Sequence, residues 1–450
     1  MTPNRVYFLG IGGIGMSALA RYFRRLGSEV YGYDRTATPL TRELEAEGMH
    51  VHYTDDPTQI PDGLDLVVYT PAVPTSTAEF QHLAALNVPM KKRAEVLGDL
   101  SRSKRALAVA GTHGKTTTTC LLTHLLRTGG VDCSAFLGGI ARNFRGNFVY
   151  GAGAYVVVEA DEYDRSFLHL QPYAAAITSI DPDHLDIYGD AETMFATGFG
   201  QFAQQVTGNL YIPHGLAQNF DNQRITTFGL DGGESFATNI RTENGSFVFD
   251  YVSGSLRLNG LTSTLPGRHN VFNAVGAIRM ALDVGVAPDA IRAGLDTFAG
   301  IHRRFERLYD GPHGTYIDDY AHHPTELRAA IGAARELFPD RHMTVVFQPH
   351  LYSRTYDFAD GFAQELDQAD AVVLLPIYPA REEPMPGVTS GIIYERMKLE
   401  ERYLVEKSAV VEFLEGRKVE VLLTLGAGDI DTLRDPFWEL FLGLESLRVG

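Results

Sequence analysis

The chain has 450 residues, of which 44% are hydrophobic and 21% are charged. This is the profile of a folded globular protein, and the length predicts two to four domains. Lys and Arg number 39 against 56 Asp and Glu, and the formal net charge of −17 excludes a general attraction for nucleic acid or for an anionic membrane surface. A local basic pocket for phosphate is compatible with this balance.

The cysteines and the apolar N-terminus bear on the compartment. Cys120 and Cys133 do not have the spacing of metal ligands, and we expect reduced thiols in a reducing compartment. The apolar run Val6–Ala20 resembles a signal-peptide core, but its four glycines favour a strand, a loop and a helix. No later stretch reaches the roughly 18 apolar residues that a membrane span requires. These features predict a cytoplasmic protein without a membrane partner.

Short β-branched runs alternate with helical patterns over the first hundred residues. Such alternation is typical of parallel βαβ units. The polar segment Ser101–Arg105 predicts the first domain boundary. The predicted strands are Val6–Leu9, Glu29–Tyr33 and Leu64–Tyr69, and the predicted helices are Ser17–Leu26 and Leu40–Glu47.

A second α/β unit is predicted after this boundary. From about Gln205 the pattern changes to alternating strands with turn signals, which predicts an antiparallel ribbon attached to the central sheet. The turn signals are Asn244-Gly245, Ser253-Gly254 and Asn259-Gly260. The predicted strands are Ala106–Ala110, Tyr155–Val158 and Ala174–Ile180, and the predicted helices are Lys115–Arg127 and Val271–Leu282.

The segment Ala299–Arg304 predicts a second boundary and a hinge, and βα alternation resumes beyond it. The expected fold is therefore α/β with three domains: a Rossmann-like domain at 1–104, a P-loop-type ATP-binding domain at 105–299, and a Rossmann-like domain at 300–450. The predicted elements of the third domain are strands Tyr316–Asp318, Thr344–Phe347, Ala371–Leu375 and Val419–Thr424 and the helix Pro324–Leu337.

The strongest chemical signal is the sequence Gly-Thr-His-Gly-Lys-Thr-Thr at 111–117, between a predicted strand and a predicted helix. A glycine-rich turn in this context directs backbone N–H groups and the helix dipole at phosphate. Lys115 would contact the terminal phosphates and the Thr116 hydroxyl would ligate Mg²⁺. Val109 replaces the first glycine of the general P-loop spacing. The alternative is a tight turn with an exposed lysine.

A second glycine run, Gly10-x-Gly12-x-x-Gly15, fits the dinucleotide fingerprint, and Asp34 follows 19 residues after Gly15. The pattern specifies a diphosphate at a helix N-terminus and a ribose hydroxyl on the acidic residue. NAD and a UDP group satisfy this chemistry equally well. A Rossmann-like turn without a ligand is the third reading.

Acidic residues follow two of the buried strands. Glu159, Asp161 and Glu162 end the strand that begins at Tyr155, and a carboxylate there, beside a P-loop, is suited to Mg²⁺. Solvated strand-end acids are the alternative. His184 lies in the loop after the next strand, where it would ligate a second Mg²⁺, orient a neighbour by hydrogen bonding, or do neither.

Five motifs in order along the chain resemble the Mur ligases, which build the peptide of bacterial cell-wall precursors. They are Gly-Thr-His-Gly-Lys-Thr-Thr at 111–117, Glu-Ala-Asp-Glu at 159–162, Asp-His-Leu-Asp at 183–186, Gly-Arg-His-Asn-Val-Phe-Asn at 267–273 and Arg-Arg-Phe-Glu at 303–306. Segments 318–326, 347–355 and 378–384 resemble the branch of the family that adds L-alanine. In that branch the N-terminal glycine run holds UDP instead of NAD.

The resemblance implies ATP-dependent ligation of L-alanine to UDP-N-acetylmuramate through an acyl phosphate, with ATP and Mg²⁺ as cofactors. It implies catalytic roles for Lys115, His184 and Arg304 and metal ligation by Thr116, Glu159 and His184. The implied ATP-binding residues are Gly111, Thr112, His113, Gly114, Lys115, Thr116, Thr117, Asn270, Asn273, Arg304, Asp319 and Tyr320. The implied UDP-sugar residues are Gly12, Gly13, Gly15, Asp34 and Thr70, and those for the amino acid are His322 and Arg354.

Two departures from the family pattern stand out. No lysine occurs between Lys115 and Lys398, so we do not predict the carbamoylated lysine of other members, and the alanine-adding branch is similar in lacking it. Leu351 stands where some members of that branch carry a basic residue, which leaves the number of cations in the amino-acid pocket open.

Three rival functions remain at this stage. A recycling ligase that attaches a whole tripeptide to the same sugar shares the first C-terminal motif. An NAD-dependent dehydrogenase would use the first glycine run but leaves the P-loop unexplained. A nucleotide-binding regulator without catalytic activity would need no acceptor site. The sequence carries no signal for an oligomeric state.

Overall fold

The computed structural model describes residues 2–181, 190–221, 224–312, 314–380 and 382–446. Two compact units are formed: unit 1 comprises residues up to 238 together with 250–261 and 272–299, and unit 2 comprises 239–249, 262–271 and the residues from 300 onward. No helix in these described ranges is long and apolar enough to cross a membrane.

The first sheet of unit 1 is fully parallel, with strand order β3-β2-β1-β4-β5. The order reverses between β1 and β4, and ligands of open α/β sheets bind at such a switch point, beyond the carboxyl ends of the strands. Its strands are β1 (Arg5–Leu9), β2 (Glu29–Tyr33), β3 (His50–His52), β4 (Leu66–Tyr69) and β5 (Met90–Lys92). Its helices are α1 (Ile14–Arg25), α2 (Pro39–Ala46), α3 (Ala78–Ala85) and α4 (Arg93–Ser103).

The central sheet has ten strands in the order β15-β14-β13-β12-β11-β10-β6-β9-β7-β8. Its buried middle is parallel, as the apolar, β-branched character of these strands predicts. The strands are β6 (Arg105–Ala110), β7 (Cys133–Ala141), β8 (Gly146–Val149), β9 (Tyr155–Glu159), β10 (Ala174–Ile177), β11 (Leu210–Pro213), β12 (Ile225–Gly229), β13 (Ser235–Glu243), β14 (Ser246–Ser253) and β15 (Leu256–Ser263). The helices are α5 (Lys115–Thr128), α6 (Ala191–Met194), α7 (Gly200–Gln204), α8 (Arg268–Val284) and α9 (Pro288–Thr297).

Helix α1 joins the first sheet to the central sheet within unit 1. The Tyr22 ring lies 5.6 Å from that of Phe136 on β7. Two hydrogen bonds add to this contact. Asn147 Oδ1 on β8 accepts from Arg21 Nη1 at 2.6 Å, and Asn147 Nδ2 donates to Ser17 Oγ at 2.8 Å. The two sheets therefore share one apolar core, and the loop before α1 is fixed relative to the central sheet.

The third sheet belongs to unit 2 and has the order β16-β17-β21-β18-β19-β20, with only β16 antiparallel to its neighbour among the described pairs. Apolar clusters cover both of its faces. The strands are β16 (Glu306–Gly311), β17 (Gly314–Asp319), β18 (Met343–Phe347), β19 (Ala371–Leu374), β20 (Arg402–Leu404) and β21 (Val421–Leu425). The helices are α10 (Pro324–Leu337), α11 (Tyr352–Asp357), α12 (Ala359–Leu366), α13 (Gly391–Tyr394), α14 (Val410–Leu414) and α15 (Arg434–Ser446).

At Ser101–Arg105, the predicted first domain boundary, α4 runs to Ser103 and β6 begins at Arg105. Some sequence predictions of local structure are wrong. Asn259-Gly260 lies inside β15, where Asp250 accepts from the Gly260 N–H at 2.7 Å. Strand β10 ends at Ile177, three residues early, because the next residues turn to bond the glycine loop of the central domain. The hairpin turn at 244–245 is as predicted, and the next turn lies at 254–255, one residue after the predicted Ser253-Gly254, because β14 runs to Ser253.

Candidate active site

The central glycine loop lies between β6 and α5. Gly111 has φ +132° and Gly114, the residue before the helix, has φ +80°, and only glycine adopts these values readily. Ser179, beyond β10, holds the loop: its hydroxyl accepts from the His113 N–H at 2.9 Å, and it lies 2.8 Å from the Thr112 hydroxyl. Ser179 therefore fixes the backbone of the loop just before the N-terminus of α5, a position suited to phosphate.

Lys115 is the first residue of α5, and its ammonium is buried against the loop. Nζ donates to the carbonyl of Gly111 at 2.6 Å and approaches the Glu162 carboxylate to 2.7 Å. Burial by itself lowers the pKa of this ammonium, but Glu162, Asp161 and Glu159 together hold the pKa above its ordinary value. Lys115 is thus a permanent cation at the base of the loop. The expectation of an exposed lysine in a plain turn is excluded.

Glu162 is the residue that the sequence analysis left without a role. Its side chain is 1% exposed, and burial raises its pKa to about 7 although Lys115 acts in the opposite direction. The motif Glu-Ala-Asp-Glu at 159–162 indicated acidic residues near the glycine loop, but the sequence did not indicate which of them pairs with Lys115.

Thr116 and Glu159 form the part of the predicted metal site that the structure describes. The Thr116 hydroxyl donates to Glu159 Oε1 at 3.1 Å, and Glu159 Oε2 accepts from the Gly138 N–H at 3.1 Å. Two oxygens bound side by side to one Mg²⁺ at about 2.1 Å lie about 3 Å apart in octahedral coordination, so this pair fits the ion. His184 lies outside the described residues.

The other predicted ATP residues divide between the units. Asn273 on α8 packs on the P-loop, since a Cβ on Gly114 would lie 2.5 Å from its Oδ1. Thr117 is buried in the first turn of α5. Asn270 belongs to unit 2, where its amide donates to the Pro266 carbonyl at 2.6 Å. Unit 1 therefore brings together the glycine loop, Thr117 and Asn273.

The first glycine loop lies at the switch point of the first sheet. Gly10, with φ +85°, packs against Thr70 after β4, because an added Cβ would lie 2.6 Å from the Thr70 methyl. Gly13 is the residue before α1 and Gly15 is in its first turn. The predicted UDP-sugar residues therefore cluster at one edge of the sheet.

Asp34, the predicted ligand of a ribose hydroxyl, also makes hydrogen bonds to the protein backbone. Its Oδ2 accepts from the Gly12 N–H at 2.8 Å and its Oδ1 from the Thr36 N–H at 3.1 Å. The carboxylate therefore shapes the glycine loop, and its binding of a ribose hydroxyl stays a prediction.

In unit 2, Asp319 organises the turn that carries Arg304. Its carboxylate accepts from the N–H of Phe305 at 2.6 Å and of Ala321 at 2.8 Å. Burial raises its pKa to about 6, although Arg304 acts to lower it. The Tyr320 ring lies 5.1 Å from the guanidinium carbons of Arg303 and Arg304. Asp319, Tyr320 and Arg304 thus form one cluster.

His322 lies beside this cluster, at the start of α10. Its Nδ1 lies 3.0 Å from the Tyr320 carbonyl and 3.2 Å from the Glu326 carboxylate, and its ring is 6.0 Å from that of His350. Burial lowers its pKa; Glu326 opposes this effect, while Arg354 and Arg304 add to it. The structure therefore brings the His322 imidazole within electrostatic range of Arg354, and their binding of the amino acid stays a prediction.

Leu351 is buried, at 7% exposure, with φ +68° immediately before α11. It packs into the protein and supplies no cation.

Arg93 is the second residue that sequence reasoning missed. It begins α4 and its guanidinium lies against Gly15. The basic run Lys91-Lys92-Arg93 was a signal for it, but β5, which contains the two lysines, was not predicted.

Family models match nearly the whole chain. Residues 5–105 match the model described as Mur ligase family, catalytic domain, residues 109–281 match the Mur ligase middle domain, and residues 303–428 match the Mur ligase, glutamate ligase domain.

Similar proteins share this full-length match. The UDP-N-acetylmuramate–L-alanine ligase of Porphyromonas gingivalis is 47% identical over 96% of this chain and 98% of its own length. The enzyme of the same name from Christiangramia forsetii is 46% identical over 94% of both chains. The crystal structure of UDP-N-acetylmuramate–alanine ligase from Thermotoga maritima has a TM-score of 0.84 at 30% identity, covering 98% of this chain and 99% of that one.

Proposed function

This chain belongs to the Mur ligase family, and we propose that it joins L-alanine to the carboxylate of UDP-N-acetylmuramate in an ATP-dependent, ADP-forming reaction of peptidoglycan precursor synthesis. One observation carries the proposal. Lys115 pairs with Glu162, and Thr116 bonds Glu159 beside the central glycine loop, an arrangement suited to phosphate and a metal ion in a chain that is 47% identical along 96% of its length to a ligase of that name. We place the reaction in the cytoplasm, the compartment that holds ATP.

The chemistry requires activation of a carboxylate. A carboxylate is a poor acceptor for an amine, because oxide would have to leave. Transfer of the γ-phosphoryl group to the muramoyl carboxylate gives an acyl phosphate and ADP. The alanine amine then attacks the acyl carbon, phosphate leaves, and the amide remains. The first step brings two anions together, so it requires cations at the transferring group.

Residues of unit 1 supply that environment in our proposal. Lys115 places a permanent positive charge where the terminal phosphate of ATP would lie. Thr116 and Glu159 would hold Mg²⁺, which when bound contributes further neutralisation of the phosphates. Because the site is buried, these charges act in a medium of low dielectric constant, where they are stronger than in water.

We propose that the binding site for L-alanine lies on unit 2. The Arg354 guanidinium suits the alanine carboxylate, because its planar fork matches a carboxylate. His322, whose pKa is lowered by burial, is neutral at pH 7 and does not repel the alanine ammonium. Arg304 remains our candidate for a further cation, and His184 for a further metal ligand.

The proposal is tested by phosphate release with ATP, Mg²⁺ and UDP-N-acetylmuramate, comparing L-alanine with L-alanyl-γ-D-glutamyl-diaminopimelate. We expect release with L-alanine and a UDP-sugar-alanine product by mass spectrometry, with Lys115→Ala as the inactive control. Release with the tripeptide alone would assign the chain to the recycling ligases. No release with any acceptor would favour a nucleotide-binding regulator, and tight NAD binding would favour a dehydrogenase.

A further inference from the structure

Arg303, the first residue of the Arg-Arg-Phe-Glu motif, lies at the carboxyl ends of two neighbouring strands of the third sheet. Its side chain is 13% exposed. Nη2 donates to the carbonyl of Gly426 at 2.6 Å and Nη1 to the carbonyl of Gly428 at 3.2 Å, both just after β21. Nε faces Asp318 Oδ2 on β17 at 3.4 Å. The guanidinium therefore ties the turn before β16 to β17 and to the loop after β21.

The backbone on both sides of Arg304 has an uncommon conformation. Arg303 has φ +59° and Phe305 has φ +45°, so Arg304 lies between two non-glycine residues in the left-handed region. Such residues persist only where their surroundings fix them. Here the Arg303 N–H donates to Glu306 Oε2 at 3.0 Å, and the Arg303 carbonyl accepts from the Tyr320 N–H at 2.7 Å. The turn that carries Arg304 is therefore fixed to unit 2 by Arg303.

Asp318 gives the Arg303 guanidinium a buried counter-charge. Its side chain is 1% exposed, and its Oδ1 accepts from Thr424 Oγ1 at 2.8 Å. Burial raises the pKa of Asp318, although Arg303 acts to lower it. Removing one partner of a buried ion pair is strongly unfavourable, so the Arg303 side chain is held by protein groups. It is suited to fixing its neighbours and not to following a ligand.

Tyr320 links Arg303 to the predicted ATP site. The guanidinium carbons of Arg303 and Arg304 both lie 5.1 Å from the centre of the Tyr320 ring. An arginine over an aromatic ring is attracted by the ring's negative face. Arg303 thus contacts Tyr320 through its side chain and its backbone carbonyl, and it is bonded directly to Arg304. A change at Arg303 would reach both predicted ATP-binding residues.

We propose that Arg303 is a positioning residue, which holds Arg304 and Tyr320 in the geometry that they need at the nucleotide and makes no contact with ATP itself. The inference rests on the proposed function, in which Arg304 is a candidate cation for the transferred phosphoryl group. Without the Arg303 guanidinium, the left-handed turn would relax and the Arg304 side chain would take other directions. Its charge would remain in unit 2 but would no longer be fixed beforehand for the reaction.

A double-mutant cycle on the full chain tests this, with Arg303→Asn, Arg304→Ala and their combination. Asparagine accepts a left-handed backbone and removes the guanidinium. Arg304→Ala should lower kcat for phosphate release by about 10³-fold, the effect of one positioned cation. Arg303→Asn should lower kcat by about 10- to 100-fold, since misplacing a group by about 1 Å can cost about 10²-fold. The double mutant should match Arg304→Ala to within about threefold, because coupled residues do not have additive effects.

Arg303→Lys keeps a cation opposite Asp318, so it answers the question if Arg303→Asn does not fold. A flexible ammonium does not reproduce the planar fork of a guanidinium, and we expect a loss of kcat of about 3- to 10-fold, the range for one hydrogen bond, again without additivity. Urea unfolding of each variant measures stability separately. An arginine that only stabilised unit 2 would lower the free energy of unfolding and leave the kcat of the folded protein unchanged.

The matched control is Arg307→Gln. Arg307 belongs to β16 of the same unit, and its Nη2 donates to the carbonyl of Gly245 at 2.6 Å. Its removal should leave kcat within about twofold of wild type. Combined with Arg304→Ala, it should give the product of the two single effects.

Two results would overturn the inference: losses of kcat that multiply in the Arg303→Asn, Arg304→Ala double mutant, or a wild-type kcat in both Arg303→Asn and Arg303→Lys. A wild-type protein that releases no phosphate with L-alanine would refute the proposed function instead. ATP binding by calorimetry then decides on Arg303, because it needs no acceptor. Arg304→Ala should weaken ATP binding, and adding Arg303→Asn should weaken it no further; independent weakening by the two changes would refute the positioning role.

Discussion

The two glycine loops of unit 1 use the same backbone arrangement with different side chains. Each follows a parallel strand, begins with a glycine in the left-handed region, and ends at a helix N-terminus. The central loop adds Lys115 at the first helical position, whereas the first loop has Ile14 there. In the first loop a carboxylate, Asp34, bonds the loop N–H of Gly12.

This difference suits the first loop to binding a phosphate and the central loop to transferring one. Backbone N–H groups and a helix dipole suffice to bind a phosphate that keeps its bonds. A transferred phosphoryl group develops charge at the transition state and needs a cation and a metal fixed beforehand. We therefore expect changes at the central loop to lower kcat and changes at the first loop to raise KM for the UDP-sugar.

The largest expected effect is that of Lys115→Ala. One positioned cation at a transferring phosphoryl group is worth about 10³-fold or more in rate, so kcat should fall by at least that factor in the phosphate-release assay. Lys91→Ala, which removes an exposed lysine paired with Asp99, is the control and should keep wild-type activity. Activity of Lys115→Ala within tenfold of wild type would contradict the assignment.

The next effect compares glycines of the two loops. In Gly111→Ala the new Cβ would lie 2.2 Å from Thr178 Oγ1 and 2.9 Å from the Ser179 backbone nitrogen, at φ +132°. Such strain costs about 1–3 kcal/mol, and we expect a 10- to 100-fold loss of kcat/KM for ATP.

Gly13→Ala is the matched substitution in the first loop. Its nearest contact would be 3.5 Å, without a positive φ, so kcat should stay within about twofold of wild type, while KM for the UDP-sugar rises. Equal losses for Gly111→Ala and Gly13→Ala would remove the distinction between the loops.

A smaller effect should come from Thr116, the proposed metal ligand. Thr116→Val keeps the shape of the side chain but removes the hydroxyl that faces Glu159. The Mg²⁺ concentration for half-maximal activity should rise on the order of tenfold, measured by titration at saturating ATP. Thr116→Ser, which keeps the hydroxyl, should restore the wild-type requirement, and an unchanged requirement in Thr116→Val would exclude this ligand.

The smallest effect concerns Glu162 and pH. Its pKa is raised from 4.5 to about 7 in the folded protein, first of all by burial. Between these values the folded state binds more protons than the unfolded state, so this group's contribution to the unfolding free energy falls as pH rises from 4.5 to 7. Lys115 stays charged throughout this window.

Urea unfolding at pH 5 and pH 7 checks the sign. Because one pKa unit corresponds to about 1.4 kcal/mol, wild type should lose on the order of 1–2 kcal/mol of unfolding free energy relative to Glu162→Gln over this range. Parallel pH dependences in the two proteins would show that Glu162 is ionised when folded.

Much of the fold follows from local sequence patterns. Periodicity and propensity identify Glu29–Tyr33 and Pro324–Leu337 with their observed ends, because these segments carry both their apolar pattern and their boundary residues. The short strands β3 and β5 were missed, since three residues carry too little periodicity. The end of β10 was misplaced because tertiary contacts, and not local preference, determine where this strand stops.

The sequence by itself determined the two phosphate loops, the strand-end acids and the α/β alternation, because each depends on residues close together in the chain. Only the tertiary structure decided which acid neutralises Lys115, that Ser179 holds the central loop, that Asp34 bonds Gly12, and that Arg93 covers Gly15. Lys115 and Glu162 are 47 residues apart. Such pairs form because particular strands are neighbours in the sheet, and the strand order cannot be read from local propensity.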